Sequence, residues 1–126
     1  MSRVKPSSLS GFTAHVLQLS RDEEVFTPLN RPFAFRYEIS LQNRSGKRVQ
    51  VLGRRWMLKD RAGHIDVIEG EAVVGQKPWL DHGESFVFDS FHTVAGQTEA
   101  TGRFFARTED GRPVVVLLEP FALHCF

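Results

Sequence analysis

Cysteine is nearly absent: among 126 residues only Cys125 carries a thiol, so no disulfide can close within the chain and the fold must rest on its apolar core. Long hydrophobic runs are missing too. The longest, Val114 to Leu118, stops at Glu119 and Pro120, far short of the roughly 20 apolar residues that cross a bilayer. Met1 to Pro6 supplies basic residues with no apolar segment behind them, which argues against a secretory leader and makes the cytosol the expected compartment, with no membrane contact. Excess charge of either sign is also lacking: 16 Lys plus Arg against 15 Asp plus Glu leaves a net charge of +1. A balanced chain has no global attraction for nucleic acid or anionic lipid, so any polyanion would need a local patch.

What is present is the composition of one ordinary globular domain, 41% hydrophobic and 25% charged, which excludes disorder, collagen and coiled coil. Residues 1–11, with Pro6, Ser7, Ser8 and Ser10, read as a flexible arm, because so polar a segment cannot offset the entropy of ordering. Residues 12–126 read as the folded domain. Turn clusters at Asn43 to Lys47, Asp60 to Gly63, Asp81 to Gly83 and Glu109 to Arg112 separate runs rich in Val, Ile, Phe, Thr and Tyr, the punctuation of a β-protein.

The clearest strand is Phe33 to Asn43, where Phe33, Phe35, Tyr37, Ile39 and Leu41 alternate with Ala34, Arg36, Glu38, Ser40 and Gln42 and so form one apolar face. Burying each large side chain contributes about 1.5 to 3 kcal/mol, against roughly 1 to 2 kcal/mol per residue to fix the backbone, so a second apolar sheet must cover that face. Thr13 to Leu19, Val49 to Lys59, His64 to Glu69, Ser85 to Phe91, Gly102 to Thr108 and Val114 to Leu123 supply the strands of an all-β sandwich of two antiparallel sheets. The apolar positions change parity between Val49, Val51 and Trp56, Leu58, with Gly53 between them, which predicts a bulge near Gly53. Asp110-Gly111 predicts a tight type I′ hairpin joining Phe104 to Thr108 with Val114 to Leu118. The last run lacks alternation, so it is expected either to lie where both faces are covered or to be covered partly by a second subunit.

Between Trp56 and Ser90 the chain reads Trp56-Met-Leu-Lys-Asp60, Gly63, Gly70-Glu-Ala-Val-Val-Gly75-Gln-Lys-Pro78, and Gly83-Glu84-Ser85-Phe86-Val-Phe88. This resembles the ApaG family, whose pattern has the same Trp and Asp, turn glycine, glycine segment ending in Pro, and Gly-Glu before alternating aromatics. The likeness extends to Phe33 to Asn43, to Asp110-Gly111 and through Pro113 to Leu123. Here Ala72 replaces the middle glycine of the segment, Arg55 a residue that is often His, and His82 a proline. The resemblance implies an immunoglobulin or fibronectin type III-like β-sandwich. It also implies an interaction module, since the family occurs as stand-alone bacterial proteins and fused to F-box and polymerase-interacting proteins. The family's historical link to cobalt and magnesium efflux would be indirect in a chain without spans.

Gly70 to Gly75 superficially matches a dinucleotide fingerprint, but Pro78 and Gly83 exclude the helix that such a motif needs. The alternative that this leaves is an anion such as a nucleotide polyphosphate or pyrophosphate resting on loop N–H groups at Gly70 and Gly75 beside Lys77. His64, Asp66 and Glu69 fall short of a metal site, which wants more ligands at fixed spacing, and read as a solvated polar face. His82, His92 and His124 are scattered, with no nucleophile beside them, so neither a catalytic residue nor a cofactor is assigned. Arg44, Lys47, Arg48, Arg54, Arg55, Lys59 and Arg61 crowd one hairpin. Base stacking would need aromatics alternating with these cations on one face, and Trp56 is the only aromatic nearby, so a charged edge that discourages strand pairing is preferred to nucleic acid. Trp79 is a core plug or an interface anchor. The expectation is a non-catalytic binding or regulatory module with a protein partner, homodimeric through an edge strand or an exposed apolar face.

Overall fold

Tyr37, Ile39 and Leu41 are fully buried, and the strand that carries them is the centre of a three-stranded sheet in a computed structural model that describes residues 5–23 and 26–125. Eight strands follow one another: β1 (Phe12–Asp22), β2 (Phe33–Asn43), β3 (Val49–Asp60), β4 (Ile65–Glu71), β5 (Trp79–Leu80), β6 (Ser85–Val94), β7 (Thr98–Thr108) and β8 (Pro113–Leu123). One sheet has the order β1-β2-β6. The other runs β4-β3-β7-β8, with the short β5 paired to the start of β3 on the edge that β4 occupies further along. All pairs are antiparallel. This is the all-β sandwich of two antiparallel sheets that the alternation predicts, three strands against five when the short β5 is included.

Rings fill the space between the sheets. Tyr37 and His92 from the first sheet meet Trp56 and Phe121 from the second, with centroids 5.1 Å apart for Tyr37 and Trp56 and 4.9 Å for Trp56 and His92. Gly102 makes the Trp56 position possible, because a Cβ there would stand 3.0 Å from the indole. The bulge predicted at Gly53 is present: the β3–β7 register slips between Val51 and Gly53, which lets Val49, Val51, Trp56 and Leu58 all face inward despite their change of parity. A second slip, opposite Ala100 and Gly102, places Pro120 where the β7–β8 ladder is interrupted, as a residue without an N–H requires.

Four expectations change. Residues 7–11 are not a loose arm: Ser7 bridges Val114, its carbonyl accepts from the Val115 N–H at 3.1 Å, and Leu9 is buried. The open edge of β8 gives those backbone groups partners that the composition does not reveal; residues 1–4 lie outside the described residues. Val114 to Leu118 is covered on one face only, since Val114, Val116 and Leu118 are buried while Leu117 is 59% exposed. The run alternates in space although every residue is apolar. The hairpin at Asp110-Gly111 pairs β7 with β8 as expected, but through the four residues Glu109 to Arg112 with only Gly111 left-handed (φ 91°), so it is not a type I′ turn. Finally, β3 is an interior strand bonded on both sides, so its cations do not guard an edge.

His92 is buried and hydrogen-bonded to the Tyr37 hydroxyl at 2.8 Å. Burial pulls its pKa from 6.5 down to about 4 and pushes the Tyr37 phenol up. A histidine held neutral in the fold contributes stability that is complete above its unfolded pKa and is lost as pH falls through the window from 6.5 to about 4, a loss of about 3 kcal/mol. Asp110, whose carboxyl the Thr108 hydroxyl holds below the usual range, titrates on the same acid limb, so the histidine's share is read by difference. Urea unfolding at about pH 7.5 and about pH 4.5 should show the wild type losing about 2 kcal/mol more than His92→Gln; equal losses would place the proton elsewhere.

Candidate functional site

The glycine segment closes β4 and turns back toward β5. Gly70 stands opposite Arg54, where a Cβ would meet the guanidinium at 2.7 Å, and that guanidinium donates to the Glu71 and Ala72 carbonyls at 3.0 and 3.2 Å. Ala72 (φ 65°), Val74 (φ 44°) and Gly75 (φ 76°) are left-handed, which carries Val73 between them into the core. The Ala72 N–H donates to the Leu52 carbonyl, and Val73 and Gln76 donate to each other's carbonyls. Lys77 Nζ lies 3.3 Å from Glu71 Oε2. Of the three residues assigned to an anion, Gly70 therefore accommodates Arg54, Gly75 makes a turn, and Lys77 already faces a carboxylate. Within the loop the N–H groups of Ala72, Val73 and Gln76 are bonded to backbone carbonyls.

Ala72 explains what a glycine does in this segment. Its left-handed backbone costs a Cβ-bearing residue about 1 kcal/mol or more, partly offset because glycine loses more chain entropy on folding. Ala72→Gly should therefore raise stability by about 0.5 kcal/mol, read as a higher midpoint in urea at unchanged slope; a lower midpoint would mean that the Ala72 methyl packs usefully.

The basic hairpin is dispersed by the fold. Arg48 forms an ion pair with Asp81 at 3.1 Å and covers the Trp79 ring at 4.6 Å, so Trp79 is a half-buried cap rather than a core plug. Arg54 ties down the glycine loop, and Arg55 lies 3.6 Å from Glu69. His64 sits in the turn before β4 and lies 3.4 Å from Asp60. His82 accepts from the Gly46 N–H, and His124 bonds Gln97. Among the described residues no group of three His, Cys, Asp or Glu could hold a metal ion.

The segment read as a solvated polar face is the most exposed apolar element of the domain. Every residue of β4 is exposed, including Ile65 at 48%, Val67 at 46% and Ile68 at 39%. It has β3 on one side and, among the described residues, no strand on the other. Beneath it the sandwich opens into a cleft of about 400 Å³, lined by Arg31, Leu58, Asp60, His64, Asp66 and Thr98, which continues past Ile68 and His92 to the exposed Phe91. Those apolar residues stand in the sequence as Ile65, Val67 and Ile68. What the sequence does not show is that they stay exposed, with nothing among the described residues covering them.

A profile of the ApaG domain matches residues 23–107. The protein ApaG of Vibrio vulnificus is 35% identical over 104 residues, 80% of this chain and 81% of that one. The protein ApaG of an Acidovorax species is 34% identical over 97 residues, covering 75% and 69%. Among solved structures, the crystal structure of a protein described as ApaA from Bordetella pertussis superposes with a TM-score of 0.81 at 26% identity, over 94% of this chain and 97% of that one. A second X-ray structure, of a structural-genomics target, reaches the same TM-score at 20% identity and shows the shared fold. Sequence pattern, sheet order and relatives agree: the chain belongs to the ApaG family.

Proposed function

We propose that this domain is a non-catalytic binding and regulatory module that works through protein–protein contacts in the cytosol, with the β4 edge as its recognition surface. One observation carries the reading. An edge strand of seven exposed residues, three of them large and apolar, offers a row of unpaired backbone groups to any extended segment, and a protein that keeps such an edge without capping it has a use for it. A second copy of the chain, paired edge to edge, is one occupant and makes a homodimer. The cleft below β4, with Phe91 across from Ile68, would receive side chains of the added strand. Nothing in this mode of action uses a cofactor. Any part in cobalt or magnesium resistance would then be indirect, through contact with another protein. The polyphosphate alternative finds no support in the loop, where Lys77 is paired and the N–H groups of Ala72, Val73 and Gln76 are spent.

Val67→Lys/Ile68→Lys places charge on the exposed edge without touching the core. Sedimentation should show concentration-dependent self-association of the wild type in the micromolar range and a monomeric double variant. Tagged wild type should also retain proteins from its native cell that the variant does not. A monomeric wild type that retains the same proteins as the variant would end the proposal.

A further inference from the structure

The pairing of β3 with β7 builds a second surface that the chain order conceals. On the solvent face of β7 stand Glu99, Thr101, Arg103, Phe105 and Arg107, each alternating with a buried residue. The register sets Arg103 directly opposite Arg55, Arg107 opposite Gln50, and Phe105 opposite Gly53. Phe105 is half-buried, and the facing glycine leaves no side chain to cover it from that side. On the other flank β8 contributes Val115 opposite Phe105 and Leu117 opposite Arg103.

The charges on this face are poorly compensated. Glu69 approaches Arg55, and Glu99 stands opposite Lys59, but neither Arg103 nor Arg107 is ion-paired among the described residues. Arg55 Nε is buried without a hydrogen-bond partner, since its 3.6 Å approach to Glu69 is too long for a hydrogen bond. Two guanidinium groups directly opposite on neighbouring strands repel each other, and an anion between them removes that cost. Arg103 and Arg107 lie about 13 Å apart along the strand with an aromatic ring midway. A chain of phosphates carrying flat bases matches this pattern: phosphates meet the cations and a base stacks on the ring, the arrangement by which sheet faces hold unpaired strands.

We propose that the outer face of the β4-β3-β7-β8 sheet, centred on Arg55, Arg103, Phe105 and Arg107, binds single-stranded nucleic acid through phosphate contacts and one base stacked on Phe105. This surface is separate from the β4 edge, and its test is independent of the protein-binding reading. An acidic peptide would satisfy the cations but gains nothing from the ring as a stacking platform, so the ring decides between them.

The test is fluorescence anisotropy with a labelled mixed-sequence single strand of about 12 nucleotides, a length within the site sizes of such proteins, and the same sequence as a duplex. At low salt the wild type should bind the single strand saturably and in preference to the duplex. The logarithm of the association constant should fall against the logarithm of salt with a slope near −2, as for about three phosphates. Arg103→Gln/Arg107→Gln and Phe105→Leu should each weaken binding roughly tenfold, while Arg36→Gln on the opposite sheet should leave it unchanged. Absence of binding would overturn the proposal. So would an unaltered affinity in Phe105→Leu, which would identify a surface for polyanions or acidic proteins, or an equal loss in Arg36→Gln, which would identify diffuse charge.

Discussion

The contact between Tyr37 and Trp56 across the sandwich is the constraint on which the rest depends. Their rings lie 5.1 Å apart, and His92, Phe104 and Phe121 close around the indole. Because the two rings come from different sheets, they fix the spacing of the layers and the rotation of one against the other. The polar atoms of this cluster are disposed of locally: the phenol hydroxyl and the imidazole bond each other, so two groups that would be costly to bury alone are buried together. Gly102 belongs to the same arrangement, since a Cβ at that position would crowd the indole at 3.0 Å against β7.

With the layers fixed, the surfaces follow from where strands end and bulge. The slip at Gly53 turns Val49, Val51, Trp56 and Leu58 inward together and leaves Arg55 and Met57 on the outer face. At one margin the segment around Ser7 lies on part of the β8 edge; at the other, β4 has no neighbouring strand among the described residues. The domain thus closes one edge partly with its own chain and leaves the opposite edge open. Its exposed surfaces are consequences of sheet order, and the glycine loop, which looks like a binding motif along the chain, anchors Val73 in the core.

Strand positions were legible because a period of two in Phe33 to Asn43 and a change of phase at Gly53 have only one economical reading in a folded sheet. Where the signal was uniform, it failed. Val114 to Leu118 is apolar throughout, so its alternation in space cannot be seen in the letters, and the polar residues 7–11 gave no hint that a free strand edge would order them. Trp79–Leu80 was too short to register as a strand, yet its pairing to β3 positions the tryptophan under Arg48. The candidate site was less legible than the fold. Lys77 and the glycines form a pattern along the chain, but whether their donors are free depends on Glu71, Leu52 and Gln76, whose roles are settled by the turn they make.

The sequence by itself determined the class of architecture, the bulge, the family and the inward face of Phe33 to Asn43, because all of these are carried by side-chain periodicity and by local backbone requirements at glycine. Only the tertiary structure decided which strands are neighbours, and with that which surfaces exist. Arg55 and Arg103 are 48 positions apart and become adjacent only when β3 pairs with β7; Ile65 and Val67 look like ordinary strand residues until the sheet ends at them. Pairing partners are chosen by the burial of two whole apolar faces at once, a global property of the packed layers that no stretch of chain contains.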